Sequence, residues 1–265
     1  MDSDSLLGDL IQRLRLYVPP ASQDDEQEEE GDVSKVGNGE DLDERGKVFS
    51  AVGLVESAAV PPFPRPERFK PKRAAVLICL FEGDGGDLRV ILTKRSSTLS
   101  THSGEVSLPG GKAEEGDAGD GETATREAKE EIGLDPALVT VVAFLEPFLS
   151  RHLLRVAPVV GILSNKKAFK PVINASEVEA IFDAPLEMFL KDENRRSEER
   201  EWLEEKFLVH YFDYDTGDQK FVIWGLTASI LIHAATVVYQ RSPAFTEQKP
   251  KFRVPRYVRG NCSMP

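Results

Sequence analysis

Cysteine is nearly absent from this chain of 265 residues: there are two, Cys79 and Cys262. Two cysteines so far apart give neither a disulfide framework nor a metal-ligand spacing, and a reducing compartment is the simplest setting. No run of about 18 apolar residues occurs, so a membrane-spanning helix is not expected. The first stretch, "MDSDSLLGDLIQRLRLYVPP", lacks the continuous apolar core of a signal peptide. Its Asp2, Asp4 and Asp9 argue against an organelle transit peptide, although Arg13 and Arg15 lie on a short amphipathic pattern. The last residues, Ser263, Met264 and Pro265, are not a peroxisomal Ser-Lys-Leu signal. A cytoplasmic location is the expectation, with organelle import left open. Excess positive charge is lacking as well. The formal net charge is -12, and no basic patch marks a nucleic-acid footprint.

The acidity is concentrated. Between Asp24 and Arg45 there are eleven acidic and two basic side chains, a local charge of -9 that leaves only -3 for the rest of the chain. This divides the chain into residues 1–20, a short amphipathic helix; 21–60, an acidic linker too poor in large apolar groups to fold; 61–245, a globular domain; and 246–265, an irregular tail. Within the domain, "AAVLICLFE" and "LRVILTKR" read as a hairpin across "GDGGD". "GEVSLPGG" is a short strand running into a glycine turn, and "VTVVAFLEPFL" and "LRVAPVVGIL" are further strands. Residues 121–132 are helical in composition and Gly133 stops the helix. "SEVEAIFDAPLEMFL" reads as a helix capped by Ser176. "FLVHYFDYD" and "QKFVIW" form a second hairpin, followed by the apolar helix "GLTASILIHAATVVYQ". Strands with helices inserted between them predict a mixed sheet packed between helices, an α/β or α+β domain.

The chemistry is expected in "LPGGKAEEGDAGDGETATREAKEEIGL", Leu108 to Leu134. Glu127, Glu130 and Glu131 fall at i, i+3 and i+4 and share one helix face. Like charges at that spacing repel by about 0.2–0.5 kcal/mol per pair. A solvated helix face would explain an arbitrary glutamate-rich helix, but here "PGGK" precedes it. Glycines let backbone groups approach a ligand, and clustered carboxylates are what a hard divalent cation such as Mg²⁺ requires.

These residues resemble the Nudix box of the Nudix hydrolases. That pattern is a glycine, five residues, a glutamate, seven residues, then Arg-Glu-apolar-x-Glu-Glu-x-Gly-apolar. Arg126 to Leu134 match its second half without exception. The first half departs from it: Ala118 stands eight residues before Arg126, where the pattern has glutamate. One extra loop residue would make Asp117 the substitute, while Glu114, Glu115, Asp120 and Glu122 are the other acids within reach. Such an insertion is similar to the coenzyme A diphosphatase branch of the family. That branch also has an upstream motif matched here by Leu92, Thr93, Arg95, Ser96, Leu99, His102, Gly104 and Glu105. The likeness runs roughly from Pro71 to Tyr239.

The resemblance implies a Nudix-like α/β/α sandwich and a metal-dependent hydrolase of the pyrophosphate in coenzyme A or its thioesters. The alternative substrates are other nucleoside diphosphate derivatives: ADP-ribose, NADH or an oxidised nucleotide. A third reading is a binding module that keeps the fold without catalysis. On the first, Glu127, Glu130 and Glu131 hold Mg²⁺ or Mn²⁺, and Arg126 orients them. Glu177 is the candidate base; otherwise it is a first-turn glutamate favoured by a helix dipole. Lys94, Arg95, Ser96, His102, Gly110, Gly111 and Lys112 are the candidate substrate-binding residues. Of these, Arg95 is the favoured phosphate binder, while Lys94 is equally readable as a solvated strand end and His102 as structural. His152, His210 and His233 read as structural and Trp224 as core. A small-molecule substrate is expected, with no nucleic acid and no membrane. Oligomeric state is unknown from the sequence.

Overall fold

A computed structural model describes residues 3–19, 49–50, 53–54, 72–150, 154–202 and 205–248. The acidic linker, residues 61–71, His152, Cys262 and nearly all of the C-terminal tail lie outside these residues. The amphipathic pattern at the start forms helix α1 (Ser3–Arg15), which buries Leu10 and Leu14. Two short strands, β1 (Phe49–Ser50) and β2 (Gly53–Leu54), pair as a separate ribbon.

The expected hairpin is present as β3 (Lys72–Glu82) and β4 (Leu88–Arg95). The glycine turn follows between β5 (Val106–Ser107) and β6 (Gly110–Lys112), and then helix α2 (Asp120–Ile132). Strands β7 (Val139–Phe144), β8 (Phe148–Leu149) and β9 (Leu154–Leu163) come next. The main sheet runs β10-β4-β3-β9-β7, where β10 is Val178–Pro185; β5 adds to β4, β6 to β3 and β8 to β9. The β3–β9 pair is parallel and the others are antiparallel, so the sheet is mixed.

Successive residues of a strand point to opposite faces, and β3 buries both. Ala74, Ile78 and Leu80 pack on one side, in the layer that holds α1 and helix α3 (Gly225–Tyr239). Ala75, Leu77, Cys79 and Phe81 pack on the other, against Ala124, Ala128 and Ile132 of α2. The architecture is an α/β/α sandwich, with Cys79 fully buried in its core. His233 of α3 meets Glu146, which also accepts the Tyr17 hydroxyl after α1. His210 is buried between Arg195 and the carbonyl of Glu247. Among the described residues no helix is long and apolar enough to cross a membrane.

One expected helix is a strand. Residues 176–190 form β10 and a single 3-10 turn, Leu186–Leu190. Val178 and Ala184 are buried while Glu179 is exposed, and β10 pairs along the edge of β4, where the ladder outweighs helix propensity. Ser176 caps no helix; its N–H and hydroxyl both bond Asn174 Oδ1. A second sheet was not foreseen at full width. Strand β11 (Arg195–Trp202) joins the expected hairpin of β12 (Glu205–Asp215) and β13 (Lys220–Trp224). Its "RRSEER" run hides an edge strand, since charge on an edge discourages pairing with another chain. Trp224 is not core: it lies half-buried on the same face of β13 as the exposed Val222.

Gly133 ends α2 in the left-handed conformation, φ 71°, with its N–H on Lys129 O and the next N–H on Ala128 O. A Cβ there would also lie 2.9 Å from Val172 Cβ. Gly133→Ala is therefore expected to destabilise the domain by at least the about 1–2 kcal/mol of a left-handed alanine, measured by urea denaturation; an unchanged midpoint would show that the cap relaxes freely.

Candidate active site

Helix α2 packs its small residues, Ala124 and Ala128, flat on the sheet, and the same face carries Glu131 one turn further on. Glu131 is consequently 2% exposed, an unusual place for a carboxylate. Its Oε2 accepts the Gly110 N–H at 3.2 Å. Burial pushes its carboxyl up to about 7, with the charges of Glu127 and Glu177 adding to the shift and Gly110 and Arg95 opposing it. Glu127 is half-buried one turn earlier, and burial raises it too, against the pull of Arg126. Glu130 points outward and is the most exposed of the three.

The two glycines of the turn are required by this packing. A Cβ on Gly111 would lie 2.4 Å from the Glu127 carboxyl carbon. A Cβ on Gly110 would lie 2.4 Å from Ala75 O, and its φ is 151°. Strand β6 thus brings backbone directly against the carboxylates. Lys112 contributes its carbonyl, which accepts from Arg126 Nη2 at 3.1 Å.

Arg126 joins the loop to the helix. It holds Asp117 with two bonds, Nε to Oδ1 at 3.0 Å and Nη2 to Oδ2 at 3.2 Å. Its Nη2 also meets Glu127 Oε1, and its Nη1 meets Glu130 Oε2, both at 3.1 Å. Asp117 further accepts the Thr123 hydroxyl and the Glu114 N–H. Arg126 first, then these two donors, holds its carboxyl well below the usual carboxylate range. Among the loop acids, Asp117 is thus the partner of Arg126. Asp120 is tied elsewhere, to Arg73 and Arg155.

Two other elements reach the carboxylates. Arg95, at the end of β4, places Nη1 3.9 Å from Glu131 Oε1. Its Nε is the one buried side-chain nitrogen or oxygen without a partner among the described residues. Such a donor is costly unless something accepts from it. The loop before β10 folds over the end of α2, with Val172 N–H on Ile132 O and Asn174 N–H on Glu131 O. That fold brings Glu177 close enough for its charge to act on both Glu127 and Glu131. Asn174 escaped the sequence reading; its Nδ2 donates to Glu177 Oε1 at 3.3 Å, and the signal was the turn-forming "NAS".

The remaining candidates are placed differently. Lys94 pairs with Glu179 at 2.6 Å. Ser96 is buried, bonds Thr98 through its hydroxyl, and donates its N–H to Glu177 O, so it positions the loop. His102 is exposed, has φ 56° and bonds Glu105 Oε2 through Nδ1 at 2.8 Å.

Among the described residues no three His, Cys, Asp or Glu side chains close on one point as a bound metal would hold them. Glu127 and Glu130 are both drawn to Arg126, and Glu131 to the Gly110 N–H. The donor set nevertheless fits a hard divalent cation. It is all oxygen, and the carboxyls of Glu127 and Glu131, raised by burial and then by their acidic neighbours, stand together on one helix face.

The model of the NUDIX domain matches residues 71–206. Nudix hydrolase 15, mitochondrial, of Arabidopsis thaliana is 73% identical over 216 residues, covering 82% of this chain and 75% of that protein. Nudix hydrolase 22, chloroplastic, of the same plant is 67% identical over 244 residues, covering 92% and 76%. The peroxisomal coenzyme A diphosphatase NUDT7 of Mus musculus is 37% identical over 164 residues, covering 61% and 68%.

Folded Glu131 keeps its proton to about pH 7, whereas an unfolded glutamate loses it near 4.5. The folded chain therefore binds more protons across that interval, and stability falls as pH rises through it. The cost above pH 7 is about 3 kcal/mol. In chelator, Glu131→Gln is expected to remove this slope and to be more stable than wild type at pH 8. Denaturation at pH 5 and pH 8 checks it; an unchanged slope would mean that Glu131 is not the titrating group.

Proposed function

This chain belongs to the Nudix hydrolase family, and from that premise we propose that it cleaves the pyrophosphate of coenzyme A or its thioesters. The products are 3′,5′-ADP and 4′-phosphopantetheine or its acyl form. The observation that carries the reading is Arg95: a partly exposed arginine whose Nε is buried and unsatisfied, beside a carboxylate cluster, on the motif that precedes the Nudix box. A phosphate oxygen supplies the missing acceptor. The likeness to a relative named for coenzyme A supports the substrate. Other nucleoside diphosphate derivatives are the competing substrates.

Glu127, Glu130 and Glu131 are the residues to hold Mg²⁺ or Mn²⁺, with Glu130 leaving Arg126 to do so. Bound there, the cation supplies positive charge to the pyrophosphate and makes an attacking water more acidic. Arg95 orients the phosphate, and the Gly110–Gly111 backbone lets it approach. Glu177 takes the proton of the attacking water. A new phosphorus–oxygen bond forms as the bridging phosphoanhydride bond breaks, and the second phosphate leaves with the bridging oxygen. Arg126 keeps Glu127 aligned and ties Asp117 and the loop to the helix. The two plant relatives carry mitochondrial and chloroplastic in their names, which supports an organellar setting over the cytoplasmic one.

The test is product analysis with coenzyme A in Mg²⁺, Mn²⁺ or chelator, beside 3′-dephospho-coenzyme A, ADP-ribose and NADH. Metal-dependent release of 3′,5′-ADP is expected, lowered by about 10²-fold or more in Glu177→Gln. Turnover of ADP-ribose or NADH without coenzyme A overturns the substrate, and no turnover of any of them favours a binding module.

A further inference from the structure

Three side chains lie in a row across the solvent-facing side of the small sheet. Arg196 on β11 is opposite Tyr211 on β12, which is opposite Trp224 on β13. The Arg196 guanidinium carbon is 4.3 Å from the Tyr211 ring centre. The Tyr211 and Trp224 rings are parallel within 3°, with centroids 5.5 Å apart. The Tyr211 hydroxyl donates to Glu198 Oε2 at 3.1 Å, which fixes the ring that the indole leans on. The other face of the same strands is ordinary core, with Phe212, Phe221 and Ile223 buried. Neither aromatic of the outer row is buried; both are partly open to solvent.

The row ends next to the site. Strand β13 is the edge of the small sheet, and β5 of the main sheet lies against it. Just past Trp224, Gly225 takes φ 62° to turn strand into helix, and Thr227 Oγ1 donates to Val106 O at 3.1 Å. Val106 is in register with Lys94, whose neighbour Arg95 reaches Glu131. The corner that carries the indole is thus tied, through one short strand, to the strand end that carries the cations. A half-buried indole, stiffened from behind and set beside a phosphate-binding strand end, suits one kind of ligand group. That group is a flat aromatic ring linked through a sugar to a phosphate, which is the base of a nucleotide.

We propose that Trp224, braced by Tyr211 and Arg196, is the wall on which the adenine ring of the substrate stacks. The proposal rests on the pyrophosphatase reading above and gives its nucleotide half a place in the fold. Arg95, beside Glu131 at the end of β4, is then the cation that meets the phosphates. The competing explanation is a cross-strand aromatic pair that only stabilises the sheet.

The experiment uses the full chain with Trp202→Phe, which leaves Trp224 as the sole indole of the two in the sequence. Titration with 3′,5′-ADP and with ADP-ribose is expected to quench its emission to saturation, while ribose 5-phosphate, which has no base, does not. In calorimetry, Trp224→Ala should weaken nucleotide binding about tenfold, and Trp224→Phe, which keeps a ring, should stay within about threefold of wild type. Unchanged emission with both nucleotides overturns the proposal. So does a folded Trp224→Ala that binds them as tightly as wild type, or one that loses thermal stability and nothing else. Saturable quenching in a protein that does not cleave coenzyme A upholds the stacking wall and removes only the substrate assigned above.

Discussion

The Glu131 carboxylate, buried under the Gly110 N–H, is the constraint around which the rest of the site is arranged. A buried anion needs donors and cations at close range. The chain meets that need from two directions. Gly110 and Gly111 bring backbone to the carboxylates, at positions where any Cβ would collide. Arg95 approaches from β4, while the 172–178 loop closes over the end of α2 by donating to the backbone carbonyls of Glu131 and Ile132. Ala124 and Ala128 complete the arrangement from inside the helix, since larger residues would lift α2 off the sheet. The sandwich core and the site are therefore one piece of packing.

Arg126 has a different task. Glu127, Glu130 and Glu131 repel, and in the absence of a cation the arginine takes up part of that repulsion by holding Glu127 and Glu130. It also fixes the loop through Asp117. Five residues separate Gly111 from Asp117, so the extra residue of the box falls between Asp117 and the helix that begins at Asp120. The insertion lengthens the loop without disturbing the pairing. Aspartate reaches the guanidinium with both oxygens, which gives the bidentate geometry that Arg favours.

Much of this was legible in the residues. The motif from Arg126 to Leu134, the glycine stop at Gly133, both hairpins and the mixed sheet followed from local pattern. What escaped was decided by tertiary context. Residues 178–185 carry helix formers but lie on the open edge of β4, where pairing wins. "RRSEER" has no apolar alternation to announce β11, because both faces of that strand are open to solvent from Arg196 to Glu201. Trp224 looked like core from its neighbours Val222 and Ile223, but strand alternation turns it outward. Asp117 was one choice among several acids; only the fold of the loop selects it as the partner of Arg126. Lys94 and His102 were left with two readings each, and the structure gives each a carboxylate partner, Glu179 and Glu105.

The central claim is that the carboxylate face of α2 is completed by a divalent cation. The most direct measurement is the thermal midpoint of wild type and Glu131→Gln at pH 7.5, each titrated with Mn²⁺ and again with chelator. A cation that binds the folded state raises its midpoint by mass action. A clear rise in wild type, reversed by chelator and largely absent from Glu131→Gln, is the expected result. Equal rises in both proteins, or none in wild type, would contradict it.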